Sequence, residues 1–241
     1  MTIIGSSGTV LRMENTSIVK EIRSLSDRLV ELKPFYVESA FGSIFSWKEL
    51  ENLLNYRPAM SANRFKPSNR ISYEWPSSAW QSDVNTYPSK LIDEIIRNYH
   101  FHIADCSRVN EKINTICLEL ENILKLPTDA HIYVDLSLKE NTGFGIHYDF
   151  SHNLIVQIDG QTEITVWDIK NNGDDTPSEI ESEPLFVKIL SPGDTVFIPS
   201  LYYHRANSLS RRMSISFPSW TKSSDSFDDR HWISLDNILS S

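Results

Sequence analysis

The chain has 241 residues, 40% of them hydrophobic, which suits one large domain or a core domain with a helical extension. Its formal net charge of −9, from 23 Lys and Arg against 32 Asp and Glu, argues against nucleic acid as the main partner, because phosphate contacts need a basic footprint. No stretch approaches the roughly 20 apolar residues of a membrane span, so no membrane partner is expected.

Residues 1–15 are polar and glycine-containing and read as a loose N-terminus, without the basic lead of a secretory signal. Residues 16–126 read as mostly helical. Ile18, Val19, Ile22, Leu25, Leu29 and Leu32 recur at spacings of three and four, which predicts one apolar helix face. Ser46 and Glu49 form a capping box ahead of Leu50, Leu53 and Leu54. Pro88-Ser89 opens a further helix with Leu91, Ile92, Ile95 and Ile96 on its buried side. A fourth helix is expected from about Ser107 to Leu124, carrying Ile113, Ile116, Leu120 and Ile123. The Pro- and Ser-containing stretch 57–76 reads as loop. Cys106 and Cys117 read as reduced core thiols of a cytoplasmic protein.

At Pro127 the period changes from 3.6 to 2. Eight short runs, at 131–138, 143–149, 153–158, 162–169, 185–190, 194–200, 202–207 and 213–219, read as strands. Gly143, Asp159-Gly160, Asn171-Asn172-Gly173 and Pro192-Gly193-Asp194 punctuate them, and the acidic insert 170–183 reads as a surface loop. Many short strands at regular spacing imply a sandwich or barrel over residues 127–221, with 222–241 as a C-terminal tail.

His147 and Asp149 lie two apart in an expected strand, so both point to one face while Tyr148 points away. His204, after the run PGDTVFIPSLYYH, is the expected third ligand. Two histidines and one carboxylate fill one face of an octahedral ion and leave three positions open, an arrangement that prefers Fe(II) to a closed structural zinc. His152 falls on the opposite face by strand parity. His100, His102, His131 and His231 read as surface or capping residues. Trp167 and Trp220 are candidate pocket residues, with core packing as the more frequent role for Trp. The chain has no GxSxG, P-loop or CxxC motif.

The runs GFGIHYDFSHNLIVQIDGQTEITVW and SPGDTVFIPSLYYHRANS resemble the JmjC-type, cupin-like oxygenases, and most of all the bacterial branch related to ribosomal oxygenases and the asparaginyl-hydroxylase type. The likeness rests on Gly143-Phe144, His147, Asp149, Gln157, Gly160, Trp167, Pro192-Gly193-Asp194, Pro199 and His204, and spans roughly Phe45 to Trp220. It implies a double-stranded β-helix (jelly-roll, cupin-like) barrel that is mainly β with a helical N-terminal half. It implies iron held by His147, Asp149 and His204, with 2-oxoglutarate and O2 as co-substrates. It further implies hydroxylation of an amino-acid side chain, with succinate and CO2 as co-products. Asp149 favours hydroxylation over halogenation, since halogenating relatives lack that carboxylate.

The chain departs from the family where many relatives carry a Lys or Arg for the far carboxylate of 2-oxoglutarate; the equivalent residue here is Thr162. Arg212-Met213-Ser214 resembles the Arg-x-Ser pair that other 2-oxoglutarate oxygenases use, and strand parity puts Arg212 and Ser214 on one face. The alternative, in which Arg211 and Arg212 are solvated edge residues, stays open. Tyr133, Asn153 and Thr162 are weaker candidates for co-substrate contacts. The expected substrate is a peptide, a protein or a small amino-acid-like metabolite, and the short stretch after Trp220 tilts away from a ribosomal protein. The helical half is a candidate homodimer interface or substrate lid. A non-catalytic cupin-like binding module and a cupin enzyme without 2-oxoglutarate are the competing readings.

Overall fold

A computed structural model describes residues 17–56, 59, 64–67, 89–137, 145–170 and 179–221. The N-terminal stripe forms as expected: residues 17–24 (α1) and Ser26–Val30 (α2) bury Ile18, Ile22, Leu25 and Leu29. It stops short of Leu32, which takes a left-handed φ of 52° and is exposed. Helix α3 (Trp47–Leu54) starts at the expected cap, where Ser46 Oγ accepts from Glu49 N and donates to Glu49 Oε2. Helix α4 (Ser89–Asn98) buries Ile95 completely. Helix α5 (Glu111–Leu124) starts later than expected, because Asn110 rather than Ser107 supplies the cap oxygen to Ile113 N at 2.8 Å. It ends where Lys125 turns left-handed. Among the described residues no helix is long and apolar enough to cross a membrane.

The region expected to be helical also holds three short strands, β1 (Phe35–Val37), β2 (Phe65–Pro67) and β3 (Phe101–Ile103). The expected loop 57–76 therefore contains β2; its other residues lie largely outside the described ones. Seven longer strands follow: β4 (His131–Asp135), β5 (Ser151–Asp159), β6 (Thr162–Lys170), β7 (Phe186–Leu190), β8 (Thr195–Ile198), β9 (Tyr202–Ser208) and β10 (Arg212–Trp220). The run 143–149 does not form a regular strand in its described part; His147 makes only an isolated antiparallel bridge to His204.

All pairings are antiparallel. A seven-stranded sheet runs β1-β8-β5-β10-β4-β3-β2, and a three-stranded sheet runs β7-β6-β9. Alternation along the strands gives the large sheet two working faces. One carries Ile132, Val134, Leu154, Val156, Met213, Ile215 and Phe217, which pack under the helices together with Ile22, Leu29, Ile95, Ile113 and Leu120. The other meets the small sheet through Val196, Ile198 and Ile155 against Ile164, Val166, Leu190 and Ala206. This is the two-sheet antiparallel pattern of a jelly roll. The two ladders share no strand, so hydrogen bonds among the described residues do not close the expected barrel.

Candidate metal centre and anion pocket

His147 and His204 face each other across their isolated bridge, with His147 N donating to His204 O at 3.0 Å and His204 N to His147 O at 2.9 Å. Opposed residues of an antiparallel pair project to one side, and the two rings stand 4.2 Å apart, centroid to centroid. Asp149 follows two residues on, its backbone pinned by Leu201 N donating to Asp149 O at 2.7 Å. One ligand atom from each of the three residues lies within 4.8 Å of the others.

The hydrogen bonds also set which ring nitrogens point inward. His147 Nδ1 lies 3.1 Å from Gly145 O and His204 Nδ1 lies 3.0 Å from Tyr202 O. A carbonyl only accepts, so each Nδ1 carries the proton and each Nε2 keeps its lone pair for a metal. Burial, and then the neighbouring His147, push His204 down to about 4, so its ring is neutral. The 3.6 Å approach of His204 Nε2 to Asp149 Oδ2 is therefore two candidate ligand atoms facing one point rather than an ion pair. Asn153 Nδ2 donates to Asp149 Oδ2 at 2.6 Å, and Asn153 Oδ1 accepts from Ser151 and Ser216. That network fixes the carboxylate's direction. Two neutral imidazoles and a carboxylate, with His147 and Asp149 half-exposed and His204 buried, fit one open-faced divalent ion.

The cavity between the sheets that holds these residues also takes in Arg212, Ser214, Tyr133, Asn153 and Thr162. Arg212 is 3% exposed, which removes the edge-residue alternative for it, whereas Arg211 is exposed. Its Nε donates to Ser208 Oγ at 2.9 Å and its Nη1 to Ser214 Oγ at 2.8 Å. Among the described residues no carboxylate forms an ion pair with it. Burial lowers its pKa to about 10, opposed by Asp135 and Tyr133. Tyr133 lies opposite Ser214 across the β4–β10 ladder, and burial raises its hydroxyl well above the usual range. Thr162 Oγ1 donates to Gln157 Oε1 at 3.0 Å and brings no charge.

The other histidines depart from expectation. His100 is 1% exposed and lines the cavity. His102 and His131 stack on each other at 5.8 Å, and His102 stacks on Tyr133 at 4.9 Å. None of the three is a surface or capping residue; β3 and β4 turn them onto the sheet's inner side, and no local pattern in the sequence marks that. His231 lies outside the described residues. His152 sits on the opposite face as expected, its Nδ1 accepting from Ser200 N. Trp167 is buried and Trp220 partly exposed. A larger cavity of about 610 Å³, against about 60 Å³ between the sheets, opens beside α3, but the described residues gather no comparable ligand set there.

A family model described as the JmjC domain matches residues 104–226. The fold resembles the Escherichia coli ribosomal oxygenase YcfD solved in complex with cobalt and 2-oxoglutarate, with a TM-score of 0.55 at 18% identity, over 80% of this chain and 49% of that one. It resembles YcfD in complex with cobalt and succinic acid with a TM-score of 0.56, again at 18% identity over 80% and 49%. A further YcfD structure gives 0.53 at 17% identity over 80% and 50%. The chain thus spans about half the length of these solved structures. No curated protein matches it.

Proposed function

This chain belongs to the JmjC-domain family, and on that premise we propose that it is an Fe(II)- and 2-oxoglutarate-dependent oxygenase that hydroxylates a C–H bond of an amino-acid side chain. The observation that carries the reading is the pairing, in one cavity, of an open-faced His147-Asp149-His204 candidate ligand set with a buried cation, Arg212, that forms no ion pair with a carboxylate among the described residues. When bound, iron and 2-oxoglutarate supply the oxidative decarboxylation and the C–H oxidation, with O2 consumed and succinate and CO2 released.

This chain's residues do the positioning. The two Nδ1–H donations to backbone carbonyls hold the imidazoles with Nε2 inward. Asn153 keeps Asp149 aimed at the same point. The Arg212 guanidinium, with Ser214 beside it, would hold the far carboxylate of 2-oxoglutarate. Tyr133 and Thr162 are polar neighbours of the co-substrate, and Thr162 leaves Arg212 to carry the charge that many relatives place at that position. In this reading residues 127–221 form the catalytic core, closing as a double-stranded β-helix, with 16–126 packed on it as a lid or homodimer interface. The substrate is an amino-acid side chain in a peptide or protein, or a small amino-acid-like molecule; YcfD is named a ribosomal oxygenase, which favours a protein substrate here. The buried thiols Cys106 and Cys117 fit a cytoplasmic setting.

The test is succinate formation by iron-loaded protein given 2-oxoglutarate without a prime substrate, comparing wild type with His147→Ala and Arg212→Ala. Slow turnover that disappears in both variants is expected. Absence of turnover in wild type, together with no calorimetric binding of 2-oxoglutarate, would overturn the oxygenase reading.

A further inference from the structure

Resting on the oxygenase reading above, we infer that His100 is the positioning residue of the anion site: its Nδ1 accepts the third guanidinium arm of Arg212, so the hydrogen bonds that orient the cation toward an incoming carboxylate go to neutral acceptors.

Arg212 Nη2 lies 3.4 Å from His100 Nδ1, the longest of its three contacts. A guanidinium carries only donors, so Nδ1 accepts and the ring proton sits on Nε2. The ring is locked where it stands: it is 1% exposed, and it meets the Tyr133 ring edge-on at 6.0 Å and 84°. Burial, and then the charge of Arg212, push His100 down to about 3, so it stays neutral across the working pH range.

The residue type follows from the task. A carboxylate at this position would pair with Arg212 and cancel its pull on a ligand. An apolar side chain would leave a buried guanidinium arm without an acceptor, which is costly. A neutral imidazole satisfies the arm and adds no further negative charge beside the neighbouring Asp135. Ser208, Ser214 and His100 together make a cage of neutral acceptors that orients the cation.

The experiment is calorimetric binding of 2-oxoglutarate to Co(II)-loaded protein, with KM and kcat for uncoupled turnover of the iron-loaded form, in His100→Phe, His100→Asn, His100→Gln and Arg212→Ala. Melting temperature and the Co(II) absorption spectrum report fold and metal site. The Asn amide oxygen falls near the place of Nδ1, whereas the Gln amide reaches toward Nε2. His100→Asn is therefore expected to bind within about threefold of wild type. His100→Phe and His100→Gln should weaken Kd and raise KM about tenfold, with kcat and the Co(II) spectrum unchanged. If His100→Phe does not fold, the Asn and Gln pair decides the question alone. Equal binding by Asn and Gln variants, or wild-type binding by the Phe variant while Arg212→Ala loses 2-oxoglutarate, overturns the role of His100 and leaves the anchor standing. Wild-type binding by Arg212→Ala overturns the anchor itself.

Discussion

Replacing Arg212 by Met separates function from stability. Burial, partly offset by Asp135 and Tyr133, lowers the guanidinium from 12.5 to about 10, a net cost on the order of 3 kcal/mol carried by the ligand-free fold. Against that stand hydrogen bonds to Ser208, Ser214 and His100, each worth roughly 0.5–1.5 kcal/mol net. The two contributions nearly cancel, and Met fills similar space without a charge. The ligand-free variant is therefore expected within about 2 kcal/mol of wild type. Its co-substrate is a different matter. Removing one partner of a buried charge pair costs about 2–5 kcal/mol, or roughly 30- to 4,000-fold in affinity. Urea denaturation of the ligand-free protein and calorimetry of the Co(II)-loaded protein with 2-oxoglutarate measure the two effects separately. Binding retained within threefold would show that Arg212 does not hold the co-substrate. A loss of stability well beyond 3 kcal/mol would show that the arginine is there for the fold.

Asn153→Ala removes the 2.6 Å donation to Asp149 Oδ2, and competition with a chelator should show metal affinity down about 10–100-fold with the fold intact; unchanged affinity would mean that Asp149 is held by other contacts. Acidification should destabilise the protein. His100 and His102 are lowered to about 3, and His204 to about 4, all with burial as the first cause. Between those values and 6.5 the unfolded chain binds protons that the fold does not, so this stability is fully present above 6.5 and is lost as pH falls toward about 3. Urea midpoints at pH 7, 6 and 5 should fall in that order, and a flat series would contradict the burial of these rings. Gly160 has φ 67°, and a Cβ there would collide with the Arg211 carbonyl oxygen, so Gly160→Ala should lower the melting temperature by an amount equivalent to at least about 2 kcal/mol; a shift under a degree would refute that packing.

Much of the architecture was written in local periodicity. The stripe Ile18-Ile22-Leu25-Leu29, the Ser46 cap and the apolar side of α5 all formed where spacing put them. The runs that became β4 to β10 were legible from alternation. The strands β1, β2 and β3 were not, because three residues are too few to display a period, and each exists only by pairing with a strand far along the chain. The run around His147 carried the alternation of a strand, yet its described part makes a single bridge to His204. Parity still put His147 and Asp149 on one side, which is why the candidate ligand set could be picked out despite the irregular backbone.

The sequence by itself determined which residue types were available for chemistry and which face of its own strand each would occupy. Alternation is a property of neighbouring residues, so the convergence of His147 with Asp149 and of Arg212 with Ser214 needed nothing further. Only the tertiary structure decided what faces what. It folded His204 onto His147, buried Arg212 beside the anion-facing cavity, and brought His100 to that guanidinium across 112 positions of sequence. Antiparallel pairing of distant strands sets those meetings, and register between distant strands leaves no mark in any local window of sequence.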